Sequence, residues 1–267
     1  METIKVMVAG VAGRMGREVV KAVTGEANLQ LVAGVDVHAV GEDIGNLAGI
    51  GTLGLTVQPD LEEALRVFRP QVLVDFTHPE GVRKNIRIAV ENGVRPVVGT
   101  TGLSDAEIKE IGELCEQKAV GCLIAPNFAI GAILMIKLAV QAAKYFPNVE
   151  IIELHHDQKL DAPSGTALKT AQAIAQVREG FRQGHFNEEE KIPGARGADY
   201  EGMRLHSVRL PGYVAHQEVI FGGLGQTLTI RHDSISRESF MPGVILGINR
   251  IVHINRLVLG LENILEA

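Results

Sequence analysis

Along the first half of the chain, short near-continuous apolar runs alternate with amphipathic stretches. Residues 4–9 (IKVMVA) form the first run, the pattern of a strand buried on both faces of a parallel sheet. Gly10, Gly13 and Gly16 follow, and then Val19, Val20 and Val23 mark one face of a helix. Residues 29–35, 72–76, 94–98 and 120–125 repeat the strand pattern, and 61–68 read as a short helix. Thr77 with Glu80, and Ser104 with Glu107, have capping-box spacing, with Pro79 in the first turn of the earlier helix. Val82, Ile86, Ala89 and Val90 form that helix's apolar face, and Gly93 ends it. Residues 39–59 are Gly-rich and read as a loop. The alternation predicts an α/β fold with a Rossmann-like, doubly wound parallel sheet.

Past residue 128 the pattern changes. Residues 130–145 are an apolar helix pattern, 149–154 a β-prone run and 166–177 another helix. Residues 178–201 are polar, with little periodicity, and read as a mobile loop. Three strand-like runs follow at 205–210, 215–221 and 226–233, separated by Pro211-Gly212 and Gly222-Gly223. That is the punctuation of an antiparallel meander. Residues 239–265 read as helical again. The expected organisation is a dinucleotide-binding domain of residues 1–128 plus 240–267, and a second α+β domain of residues 129–239. The second domain, with a mixed or antiparallel sheet, carries the histidine-rich strand end and is expected to bind substrate.

Composition narrows the classes. Aromatics are 4% of the 267 residues and Trp is absent, so the core must be mainly aliphatic. The net charge of -6 argues against a nucleic-acid or membrane-surface partner, which a basic face would favour. It leaves room for a small anion in a local basic pocket. The N-terminus runs straight into a strand with no charged-then-apolar leader, and no apolar run approaches a membrane span. A cytoplasmic protein is expected. Cys115 and Cys122 read as buried small hydrophobes. His185, His206, His216, His232 and His253 are dispersed, so no metal site is expected.

Two stretches carry candidate chemistry. The first is strand, Gly10-x-x-Gly13-x-x-Gly16, helix, strand and then Asp36. Glycines let the backbone approach a pyrophosphate, and an acid about 20 residues on holds a ribose hydroxyl. Arg14 either lies along the cofactor or is a solvated first-turn side chain. Asp36 would repel a 2′-phosphate, and Val37 beside it is no basic clamp, which favours NADH over NADPH. Parallel strands open their carboxyl ends on one edge. Thr77, Gly99, Thr100, Thr101, Ala125, Pro126, Asn127 and Phe128 are therefore candidate walls for the nicotinamide half, with plain turn chemistry as the alternative.

The second stretch is EIIELHHDQKLDAPSGTAL, residues 150–168. His155 or His156 can move a proton near neutral pH. Lys159 can stabilise negative charge or donate a proton. Ser164, Gly165 and Thr166 open a helix, where free N–H groups suit a carboxylate. The donors exceed the needs of one carboxylate, so a dicarboxylate fits. Beside a hydride donor, this set suits reduction of a polarised double bond. The bland reading is a charged turn followed by a capped helix.

HHDQKLDAPSGTA, together with VAGVAGRMGR, DFTHPEGV, VVGTTG and APNFAIG, resembles the 4-hydroxy-tetrahydrodipicolinate (dihydrodipicolinate) reductase family over essentially the whole chain. The resemblance implies reduction of a cyclic imine dicarboxylate with NAD(P)H on the diaminopimelate route to lysine. It implies His155 as proton donor, Lys159 as a second catalytic donor, and His156, Gly165 and Thr166 as substrate-carboxylate contacts. It also implies cofactor contacts from Gly10, Val11, Ala12, Gly13, Arg14, Met15, Asp36, Gly99, Thr100, Thr101 and Ala125 to Phe128, and a homotetramer. Some members carry Arg where this chain has Val37 and His78, which weakens a strict NADPH requirement. Another NAD(P)-dependent dehydrogenase, of the aspartate or homoserine type, leaves the His-His-Lys-Ser-Gly-Thr run without a role. A cofactor-sensing or assembly protein without catalysis is the reading from a different class.

Overall fold

The structure is a computed structural model that describes residues 3–265. The elements in chain order begin with β1 (Ile4–Ala9), α1 (Arg14–Gly25), β2 (Leu29–Val35), α2 (Ile44–Ala48), β3 (Val57–Gln58) and α3 (Leu61–Phe68). Then come β4 (Val72–Asp75), α4 (Pro79–Glu91), β5 (Arg95–Val98), α5 (Asp105–Lys118) and β6 (Cys122–Ile124). The second series is α6 (Ile130–Ala143), β7 (Asn148–His155), α7 (Gly165–Ala175), β8 (Ala198–Tyr200), β9 (Met203–Arg209), β10 (Ala215–Gly223) and β11 (Gln226–Ser234). The chain closes with α8 (Met241–Ile251), β12 (Leu257–Leu259) and α9 (Glu262–Leu265). Contacts divide it into two units, Met1–Ala129 with Phe240–Ala267, and Ile130–Ser239.

In the first unit seven strands form a sheet in the order β12-β6-β5-β4-β1-β2-β3, every pair parallel. Apart from β12 this is the Rossmann order, with the chain reversing direction beside β1. Val6, Met7, Val8, Leu73 and Val97 are fully buried, as the unbroken apolar runs require. Burying one such Leu or Val contributes about 1.5–3 kcal/mol, so aliphatic packing suffices without Trp. Three local readings are corrected. Residues 39–59 contain α2 and β3, elements of five and two residues that are too short to show periodicity. Residues 239–265 are not wholly helical, because β12 joins the sheet beside β6. The Thr77–Glu80 capping box is absent. His78 is the N-cap of α4 and makes no side-chain cap bond, while the Thr77 hydroxyl donates instead to Asp75. The Ser104–Glu107 box is present, and Ser104 holds the Glu107 carboxyl below its usual range.

The second unit is a mixed five-stranded sheet in the order β11-β10-β7-β9-β8. Pairing is antiparallel except between β7 and β9, which run parallel. It is therefore not a simple meander, since β7 lies between β9 and β10. Met135 and Ala139 from α6, and Ala167, Ala171 and Ile174 from α7, pack with Val149, Ile151, Met203, Leu205, Val219 and Phe221. Those strand positions share one parity, so one face of the sheet is a hydrophobic core. Residues 178–201 are not a free loop. The buried Arg178 donates to the carbonyls of Pro147, Phe181 and Glu201. Gln183 pairs with both backbone groups of Val149 at 2.9 Å, and β8 forms at the segment's end.

Candidate active site

The glycine-rich turn between β1 and α1 is built by close backbone approach. Gly10 has φ +79, and a Cβ there would lie 2.6 Å from the Phe76 carbonyl oxygen. A Cβ on Gly16 would lie 2.0 Å from the Gly10 carbonyl oxygen, which seats α1 tightly on the turn. Gly13 is the N-cap of α1; it provides no side-chain cap and no acid occupies the first turn. The first N–H groups of this helix are thus left for an anion.

A groove of about 1040 Å³ opens over this turn. Gly10, Ala12, Gly13, Arg14, Met15, Asp36 and Thr77 are among the residues that line it. Asp36 accepts the Ala12 amide at 3.0 Å and the His38 amide at 2.9 Å, which ties the end of β2 to the glycine turn. Val11 is fully buried and its side chain packs on Gly34, so within the turn only its backbone is available to a ligand. Lys84 on α4 also lines the groove, a cation that its distance from Asp36 in the sequence concealed.

Thr77, Gly99, Thr100, Thr101, Ala125, Pro126, Asn127 and Phe128 follow the neighbouring strands β4, β5 and β6. Of these, only Thr77 lines the groove just described. Phe128 is buried and its ring lies 5.9 Å from that of Phe76, which also packs on Gly99. Asn127 is turned back to accept the Ala129 amide at 2.8 Å. Asp75, which sequence reasoning missed, organises the loops. It is fully buried and accepts from the Thr77 amide (2.9 Å), the Thr77 hydroxyl (2.7 Å) and the Thr100 hydroxyl (3.2 Å) through one oxygen. Its other oxygen accepts from Asn85 at 2.8 Å.

In the second unit the cluster stands at the end of β7. His155 is the last strand residue and is partly buried, while His156, just beyond, is exposed. Strand register sets His155 beside Arg209 of β9 and Ala215 of β10. His155 Nδ1 lies 2.5 Å from Glu153 Oε2. Glu153 is 1% exposed and takes both terminal nitrogens of Arg209, at 2.9 and 2.7 Å. Burial alone would raise the Glu153 pKa, but hydrogen bonds from His155, Arg209 and Ser207 hold it at about 2. Neither Glu153 nor Arg209 was found from the sequence. The available signal was a charged residue on the buried parity of a strand, after Val149 and Ile151.

Lys159 Nζ pairs with Asp161 Oδ1 at 2.7 Å, and this contact holds the Asp161 carboxyl below its usual range. Ser164 caps α7, accepting the Ala167 amide at 3.2 Å, and its own amide points to Glu153 at 3.3 Å. Ser164 is 3% exposed. Its oxygen caps the helix, and its O–H remains a donor besides that contact. Gly165 and Thr166 stand in the first turn of α7, which carries no acidic residue.

The family model described as dihydrodipicolinate reductase, N-terminus, matches residues 4–128, and the one described as its C-terminus matches residues 131–265. The chain is 57% identical over 267 residues, covering both chains fully, to a 4-hydroxy-tetrahydrodipicolinate reductase of Desulfitobacterium hafniense (strain DSM 10664 / DCB-2). It is 56% identical over 265 residues, 99% of each chain, to a 4-hydroxy-tetrahydrodipicolinate reductase of Bacillus pumilus. A solved structure of dipicolinate-bound dihydrodipicolinate reductase from Paenisporosarcina sp. TG-14 superimposes with a TM-score of 0.88. The identity is 50%, covering 98% of this chain and 99% of that one.

Proposed function

The chain belongs to the dihydrodipicolinate reductase family, and from that premise we propose how its own residues divide the labour of the reaction. The protein is an oxidoreductase that reduces 4-hydroxy-tetrahydrodipicolinate to tetrahydrodipicolinate with NAD(P)H, a step of the diaminopimelate route to lysine. In that conversion a hydroxyl is replaced by hydrogen, so a hydride and a proton enter and water leaves. The nicotinamide supplies the hydride when bound. The uncapped start of α1, the glycine turn and Asp36 suit the dinucleotide's pyrophosphate and ribose.

The remaining task is proton transfer and charge recognition. His155 is the proton donor, and the contact between its Nδ1 and Glu153 is the observation that carries this reading. Lys159 is the assisting cation, drawn to the substrate's developing negative charge. The amides of Gly165 and Thr166 receive one substrate carboxylate, and His156, exposed beside the turn, contributes to carboxylate binding. A dicarboxylate matches this division into a side-chain pole and a helix-terminus pole. The bound dipicolinate of the Paenisporosarcina relative is a planar dicarboxylate and supports it. Dipicolinate titration against His156→Ala and Gly165→Pro variants tests the assignment: both should bind it at least about tenfold more weakly, the loss of roughly 1.4 kcal/mol. Unchanged affinity in both removes these residues from the site.

The reading extends to a cytoplasmic homotetramer. Among the described residues no helix is long and apolar enough to cross a membrane. The face of the second sheet opposite α6 and α7 carries half-buried Ile152, Leu154, Val208 and Ile220 among charged residues, which suits pairing with another copy. Sedimentation equilibrium checks it, and a monomer at micromolar concentration removes the tetramer.

A further inference from the structure

Glu153 gathers donors from three different parts of the second unit. Oε2 faces His155 Nδ1 at 2.5 Å and Arg209 at 2.9 Å. Oε1 accepts from Arg209 at 2.7 Å and from the Ser164 amide at 3.3 Å. Arg209 also donates to the Asp161 carbonyl at 2.8 Å, reaching the turn that carries Lys159. One buried carboxylate thus connects the histidine, the cap of the carboxylate-binding helix and the loop of the catalytic lysine.

From this convergence we infer that Glu153 is the positioning residue of the proton-transfer step: it fixes His155 with the proton on Nδ1 and leaves Nε2 to give up the transferable proton. An ionised carboxylate only accepts hydrogen bonds, so Nδ1 must be the donor in this contact. In the neutral ring the other nitrogen is then the acceptor, and it carries the second proton when the ring is charged. The same pairing of buried carboxylate and imidazole orients the base in hydrolytic triads, where the wrong tautomer costs several orders of magnitude in rate. Arg209 makes the arrangement directional. Its two nitrogens engage both oxygens of Glu153, so a Gln at position 153 cannot turn its amide without meeting a donor. Each oxygen position faces one Arg209 nitrogen, so the choice turns on the second neighbour: the Ser164 amide at Oε1 can only donate and selects the carbonyl oxygen, whereas the His155 ring at Oε2 can change tautomer. The amide nitrogen is then left against His155 Nδ1, which must become an acceptor, and the ring proton moves to Nε2.

This inference rests on the assignment of His155 as the acid, but its test does not require turnover. Full-length wild-type protein and Glu153→Gln are labelled with 15N-histidine, and the His155 ring is assigned by its loss in His155→Gln. In neutral imidazole the wild type is expected to show the Nδ1–H tautomer and Glu153→Gln the Nε2–H tautomer. In steady state Glu153→Gln is expected to lose about 10- to 10³-fold in kcat. Its Kd for dipicolinate should change by less than about threefold, a split that a general loss of structure does not produce. An Nε2–H tautomer in the wild type overturns the inference, and that arm decides even if the variant does not fold. So does a variant with wild-type tautomer and kcat. A wild type with the Nδ1–H tautomer but no turnover overturns the functional reading and leaves the role of Glu153 in orienting the ring standing.

Discussion

Lys159 Nζ lies 2.7 Å from Asp161 Oδ1, so its ammonium has a carboxylate partner on the same turn. Asp161 is largely exposed, and an exposed ion pair is worth at most about 1 kcal/mol. A substrate carboxylate can displace it at small cost. Lys159→Ala should therefore lower kcat by roughly 10²–10⁴, whereas Asp161→Ala should move KM by less than about fivefold. Steady-state kinetics of the two variants separates the roles. Equal losses in both would mean that the pair acts as one catalytic unit.

Asp75 organises the loop ends of β4 and β5 through Thr77 and Thr100. Replacing its carboxylate by an amide removes acceptor capacity at a fully buried point. A hydrogen bond to a charged group is worth about 1.5–3 kcal/mol. Asp75→Asn should weaken NADH binding by up to about 10- to 150-fold, the full cost of one such bond, measured by quenching or enhancement of the reduced nicotinamide's fluorescence. A variant with lower Tm but unchanged NADH affinity would make Asp75 a structural residue only.

Cofactor choice follows from the charges around the groove. Asp36 disfavours a 2′-phosphate and Val37 offers no clamp, while Lys84 and Arg14 supply cations on the same groove. NADH is expected to be used as well as or better than NADPH by kcat/KM. Lys84→Ala should reduce NADPH use more than NADH use. A hundredfold preference for NADPH in the wild type contradicts this account.

Acid stability reports on Glu153. Its folded value of about 2 lies below the ordinary 4.5. A depressed carboxylate contributes stability that is complete above 4.5 and is lost as pH falls towards 2. The gap corresponds to roughly 3 kcal/mol by linkage. Between pH 4.5 and 2, stability measured by urea unfolding should fall more steeply for the wild type than for Glu153→Gln. Parallel curves would show that Glu153 is not held ionised by its neighbours.

The two stretches that carry candidate chemistry are legible because their signals are local. Gly10, Gly13 and Gly16 lie within one turn and its helix, and His155 to Thr166 are contiguous. The parallel sheet was readable because its strands are unbroken apolar runs. Asp75, Lys84, Glu153 and Arg209 were not, because each acts through contacts made across the fold: Glu153 and Arg209 are 56 positions apart. In the second sheet the β10–β11 hairpin is legible, whereas the neighbours of β9 are not, for the same reason. Turn residues after β9 and β10 give hairpin signals, yet β7, from far upstream, pairs between those two strands.

The central claim is that this chain uses His155 to protonate a substrate reduced by NAD(P)H. The most direct measurement is oxidation of NADH or NADPH by the wild type and by His155→Gln, with 4-hydroxy-tetrahydrodipicolinate generated in the assay by the synthase that makes it. The wild type should oxidise the cofactor only when the substrate is being formed, and His155→Gln should be slower by about 10²–10⁴ in kcat. Absence of substrate-dependent oxidation in the wild type, or equal rates in the two proteins, would contradict the account.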